Sequence, residues 1–257
     1  MSPANALQSE IFLRYAHSIL VLLAATGLLL LILHFTARRN VRSVVKTWTG
    51  WLLIVPVVIG LLFAGREATI VGFALISAGA FKEFSKATGL YRDWWMTGIV
   101  YLGIGLITLA CLIQDPRLGF PGWYGLFMTS PVYVVGAILI VPIARNRSKG
   151  QLQTIALAIL GFIYMGWMLS HIGFMANSRF AYGYFLYLLV AVQINDVAAF
   201  TCGKLFGRHK LRPDISPNKT VEGALGALAV SIALPWLLWF SFPHFGPTEL
   251  ILTGLIV

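Results

Sequence analysis

A carboxylate set within an apolar run demands a reason. The 257 residues include nine acidic ones. Asp196 differs from the rest because it follows the largely apolar residues 187–194, has Asn195 beside it and is followed by Val197, Ala198, Ala199 and Phe200 before any basic residue. A charge at such a place costs about 3 kcal/mol on insertion scales and usually has a function. Two uses are open to it, pairing with a neighbouring helix or holding a divalent cation at the membrane surface. The next segment, residues 203–223, carries Lys204, Arg208, Lys210, Arg212 and Lys219, five cations within sixteen residues. Gly203 and Gly207 allow a close backbone approach to a ligand. Ser216, Lys219 and Thr220 stand just before an apolar run able to form a helix, whose free amides and dipole favour phosphate. A loop so composed can cradle a polyphosphate. It also suits a plain basic loop in which Thr220 caps the helix and Pro213 and Pro217 make turns.

The elements that position these residues follow from composition. The chain is 58% hydrophobic and 11% charged, with a mean hydropathy of +0.83, whereas a soluble domain carries roughly 25% charged residues. Its apolar residues fall in blocks long enough to cross a membrane as helices, without the alternation of barrel strands. The sequence predicts an all-α, polytopic membrane bundle, with spans near residues 17–36, 49–64, 68–84, 95–114, 131–144, 152–175, 182–202 and 223–242. A ninth begins near 248 and is cut short. With no repeat or linker evident, residues 1–257 read as one domain: seven helices over 17–202, the loop 203–222, then helix eight and the start of helix nine.

Alternate connections are rich and poor in Lys and Arg. Arg38, Arg39, Arg42, Lys46, Lys82, Lys86, Arg92, Arg145, Arg147, Lys149 and the five loop cations fall on one face, against Arg14, Arg66, Arg117 and Arg179 on the other. This division of 15 to 4 places the rich face, and the 203–222 loop with it, in the cytoplasm and the N-terminus outside. It also accounts for the net charge of +10 without a nucleic-acid partner. The first span stays as an anchor, since its Arg38-Arg39 cluster follows the apolar run. Cys111 and Cys202 fall near opposite faces, so neither a disulfide nor a cysteine-ligated metal is implied. Glu10, Glu67, Asp93, Asp115 and Glu249 lie at helix ends and in loops, where water solvates them.

In order and spacing, Asp196, Ala199, Gly203, Phe206, Gly207, Ile215, Ser216, Pro217, Lys219, Thr220, Glu222 and Gly223 resemble the signature of the CDP-diacylglycerol synthase (phosphatidate cytidylyltransferase) family. Phe81, Glu83 and Phe84 resemble a shorter element on one of its early helices. Phe200 stands where that family usually has Tyr, and Asn218 where it has a second Lys. The resemblance implies transfer of a cytidylyl group from CTP to phosphatidate, giving CDP-diacylglycerol and pyrophosphate, in a bacterial inner membrane. It implies Mg²⁺ held by Asp196, a triphosphate neutralised by Lys219 and Lys204, and hydrogen bonds to it from Ser216 and Thr220. Asn195, Gly207 and Arg208 line the same site, and Glu222 fixes Lys219 or a metal-bound water. Membrane lipids surround the protein, and a homodimer is left open. The family continues with Lys-Asp, Gly-His-Gly-Gly and Asp-Arg-x-Asp elements, none of them present before Val257. The expectation is a truncated chain that holds nucleotide without turning it over. A CTP-dependent kinase of polyprenols or phytol and a non-catalytic remnant are the competing readings.

The charge division makes a topological prediction. With Cys111 and Cys202 replaced by Ser, single cysteines at Arg147 and Arg208 will react only with reagents that reach the cytoplasm, and one at Arg117 only from outside. Labelling of Arg117 and Arg147 from one side would overturn the nine-span order.

Overall fold

The computed structural model describes residues 1–36, 42–147 and 149–256. The Arg38-Arg39 cluster and Val257 lie outside the described residues, as do the side chains of Arg42 and Lys46. The helices in chain order are α1 (Pro3–Gln8), α2 (Glu10–Thr36), α3 (Arg42–Ala64), α4 (Arg66–Thr88), α5 (Trp94–Leu112), α6 (Tyr124–Ala144), α7 (Gln151–Gly161) and α8 (Leu169–Phe174). They continue with α9 (Ala181–Phe206), α10 (Val221–Leu237) and α11 (Pro247–Ile256). Between α9 and α10 lie the strands β1 (Lys210–Arg212) and β2 (Ser216–Thr220). The architecture is an all-α polytopic membrane protein. Among the described residues, six helices are long and apolar enough to span a bilayer, and Trp48–Ala64, Val221–Leu237 and Pro247–Ile256 are shorter apolar helices.

Helix ends follow local chemistry. Ser9 Oγ accepts from the Phe12 amide at 3.2 Å, so α2 starts at Glu10, seven residues before its apolar run. Asp93 caps α5 by accepting from the Met96 amide at 3.3 Å. It also takes the Arg145 guanidinium on both carboxylate oxygens, at 2.8 and 2.7 Å. With a side chain only 19% exposed, Asp93 is a half-buried link between the start of α5 and the end of α6, not the solvated loop residue expected.

Pro131 accounts for a misjudged boundary. The sequence reading opens that span at the proline, yet α6 runs through it from Tyr124. A proline inside a helix removes the amide that would bond the carbonyl four residues back. That carbonyl, Phe127 O, accepts instead from Ser130 Oγ at 2.8 Å and from Trp167 Nε1 at 3.2 Å. Trp167 belongs to a π-helical stretch, Phe162–Met168, that joins α7 to α8. The wider turn disturbs the ordinary ladder, and the fully buried Ser77 of α4 donates to Met165 O within it.

Contacts divide the chain into two compact units, although the sequence shows no linker. One comprises Met1–Ala6 and Ala25–Arg179; the other comprises Leu7–Ala24 and Phe180–Val257. In the first, Phe81, Met96, Ile107, Phe127, Ile138 and Phe162 are buried to 1% exposure or less. Its loop side is tied by Arg66, whose Nε donates to Asn177 Oδ1 at 2.7 Å and whose Nη2 donates to Cys111 O and Leu112 O at 2.9 and 2.8 Å. These are carbonyls at the end of α5 that lack helical partners. In the second, Tyr187, Ala191, Leu234, Phe242 and Leu250 form a core, and Tyr15 and Ser241 share a buried hydrogen bond of 2.7 Å.

Lysine lacks the fork that lets Arg66 serve Asn177, Cys111 and Leu112 together while its Nη1 also donates to Glu67 Oε1. Arg66→Lys will therefore lower stability by about 2 kcal/mol, read as thermal unfolding in detergent, while Arg117→Lys will leave it unchanged. Equal melting of the two variants would show that the fork is not needed.

Candidate functional site

The last turns of α9 present two stripes. Ala199, Gly203 and Gly207, four residues apart, face α10. A Cβ on Gly203 would lie 2.9 Å from Thr220 Oγ1, and one on Gly223 would lie 2.7 Å from Ala199 O. One on Gly226 would collide with Cys202 Sγ. Any larger side chain forces the two backbones apart. The glycines expected to admit a ligand thus serve first to let α9 and α10 meet. The second stripe, Asp196, Phe200 and Lys204, is exposed. Lys204 Nζ lies 5.7 Å from the centre of the Phe200 ring. Among the described residues Asp196 forms no ion pair. Asn195 beside it is half-buried.

Beyond α9 the chain forms an antiparallel ribbon where only a loop with turns was expected. Gly207 ends the helix, its amide donating to Gly203 O at 3.2 Å. Lys210 pairs with Thr220 and Arg212 with Ser216, with an irregular register between them. The Ile215 amide closes the turn on Arg212 O at 3.2 Å. A three-residue strand and a five-residue strand containing Pro217 carry too little alternation to be seen in sequence.

The root of the ribbon is tied to α10. The Val221 amide donates to His209 O at 2.9 Å. In return the His209 amide donates to both carboxylate oxygens of Glu222, at 3.2 and 3.3 Å, and its Nδ1 lies 2.6 Å from Glu222 Oε1. Glu222 was expected to fix Lys219 or a metal-bound water, and here it fixes His209. The His209 side chain, with help from backbone amides, holds the Glu222 carboxyl down to about 2. Thr220, expected to donate to phosphate, is the N-cap of α10. Its Oγ1 accepts from the Gly223 amide at 3.2 Å, and the residue is 9% exposed. Ser216 is half-buried.

Lys204, Arg208, Lys210, Arg212 and Lys219 are all exposed. Among the described residues none of the five forms an ion pair with a carboxylate. Their charges are therefore not tied up in ion pairs, and they outnumber Asp196, Asp214 and Glu222 of the same stretch, which favours attraction of a polyanion. Among the described residues, no three His, Cys, Asp or Glu side chains gather into a metal centre. A lone exposed carboxylate is still compatible with Mg²⁺ that arrives on a nucleotide, because that ion takes its remaining oxygens from phosphates and water. Sequence reasoning missed His209, since no spacing rule joins it to a glutamate thirteen positions away.

A depressed carboxylate stabilises the fold in full above its ordinary value of 4.5 and loses that contribution as pH falls toward about 2. The melting difference between the protein and Glu222→Gln will therefore persist down to about pH 4.5 and close below it. A difference that closes near neutrality would show that Glu222 is not the group responsible.

With that geometry in place, relatives can be compared. The cytidylyltransferase family model matches residues 44–257. An Escherichia coli (strain K12) protein, uncharacterized protein YnbB, is 26% identical over 83% of this chain and 68% of its own length. A phosphatidate cytidylyltransferase of Staphylococcus aureus (strain COL) is 29% identical over 82% of this chain and 76% of its own. The phosphatidate cytidylyltransferase of Staphylococcus haemolyticus is 31% identical over 46% of this chain, and the match spans 45% of that relative's length. No solved structure matches. The match over residues 44–257, most of the chain, makes this chain a member of the cytidylyltransferase family.

Proposed function

We propose that the protein transfers the cytidylyl group of CTP to phosphatidate, releasing pyrophosphate, at the cytoplasmic face of a bacterial inner membrane. The observation that carries this reading is the set of five exposed cations between Asp196 and the start of α10, none of them in an ion pair with a carboxylate among the described residues. A phosphate oxygen of the lipid attacks the α-phosphorus of CTP, and the bond from that phosphorus to the bridging oxygen breaks as pyrophosphate leaves. Both reactants are anions, so the barrier is mainly electrostatic. Lys204, Arg208 and Lys219 lower it by neutralising the triphosphate. Ser216 donates a hydrogen bond, and Gly207 with Asn195 shapes the approach. Bound at Asp196, Mg²⁺ supplies further charge neutralisation at the phosphates. Thr220 and Glu222 hold the ribbon and α10 in position. The attacking lipid phosphate is already ionised near neutral pH, so no general base is required.

The test uses the purified protein in nanodiscs with CTP, Mg²⁺ and phosphatidate, following CTP binding and both nucleotide products. Pyrophosphate and CDP-diacylglycerol are expected, whereas CTP binding without either product would bear out the catalytically silent chain read from the sequence. In Asp196→Asn their formation will fall by at least about 100-fold, with unchanged thermal unfolding. CDP as the nucleotide product would identify a lipid kinase instead. Failure to bind CTP would refute the nucleotide reading.

A further inference from the structure

His209 lies among the loop cations and has no part in the chemistry described above. Its side chain is 77% exposed. A carboxylate can only accept, so the 2.6 Å contact with Glu222 Oε1 places a proton on Nδ1. The ring is thereby fixed in orientation with Nε2 as its remaining valence, and no described residue bonds Nε2. A carboxylate that fixes one imidazole nitrogen so that the other can act is a recurring arrangement for proton-linked work.

We propose that His209 is a proton-gated contact for the phosphates of the bound nucleotide, oriented by Glu222; this rests on the nucleotide reading above. In the neutral ring Nε2 presents a lone pair, which repels a phosphate oxygen. In the imidazolium Nε2 carries a hydrogen, and the loop gains a sixth cation. Phosphate binding and proton uptake at His209 are then linked, each favouring the other. The other charged and titratable groups on the elements around it are Tyr182, Tyr184, Tyr187, Asp196, Cys202 and Lys204 of α9, Arg208, Lys210 and Arg212, Asp214 of the turn, and Lys219 of β2. Glu222 alone of these charged groups hydrogen-bonds the ring. Among unperturbed side chains, only imidazole changes charge between about pH 5 and 8.

The experiment measures CTP affinity in detergent micelles at pH 6 and pH 8.5 for the protein, His209→Gln and His209→Arg. Titration of the CTP phosphates affects all three alike and cancels in ratios. The protein is expected to bind about tenfold more tightly than His209→Gln at pH 6, with that ratio approaching one at pH 8.5. His209→Arg will hold the tighter affinity at both. A ratio of one at pH 6, or one that does not change with pH, would overturn the proposal. If the protein binds CTP at neither pH, the nucleotide reading falls as well, which separates the two failures.

Discussion

Everything at the ribbon end of the second unit depends on how closely α9 and α10 approach. Ala199, Gly203 and Gly207 on one side and Thr220 and Gly223 on the other leave no room for a Cβ at the three glycines. Membrane helices gain little from apolar burial against each other, because lipid is equally apolar, so close van der Waals packing between small residues has to hold them. That contact fixes the distance between the last turn of α9 and the first turn of α10. The ribbon between them has both ends anchored in consequence. Thr220 takes part twice, as the cap of α10 and as the surface that Gly203 and Gly207 face.

Such an anchored ribbon can hold like charges together. Five cations on a free loop would spread apart to reduce their repulsion, and an anion would have to gather them again at an entropic cost. Here the backbone that carries three of them, Lys210, Arg212 and Lys219, is paired across β1 and β2. Its root is bonded to Glu222. The repulsion is therefore overcome during folding, before any ligand arrives.

The helices were legible because bilayer-length apolar blocks admit few other solutions, and the family signature marked Asp196 and the loop residues. Contacts between distant residues were less visible. Asp93 looked like a loop residue because its partner, Arg145, lies fifty-two positions away. Pro131 looked like a boundary because the group that relieves it, the Trp167 indole, belongs to another helical segment. The glycines were noticed, but their packing duty requires knowing which helix lies opposite. His209 and Glu222 meet only because a ribbon too short to show a strand pattern brings the chain back on itself. In each case the residue type was a fair guide to its chemistry, and the missing information was the identity of the neighbour.

The Phe127 carbonyl has an implication for how the sequence can change. Its bond from Trp167 is valuable because Pro131 has no amide to offer. Losing the indole first would leave a buried acceptor with Ser130 Oγ as its remaining donor. Losing the proline first would restore the helical bond and make the indole dispensable at that carbonyl. The two substitutions are therefore epistatic, and of the two mutational paths between these states, the path that removes Pro131 before Trp167 avoids the weakened intermediate.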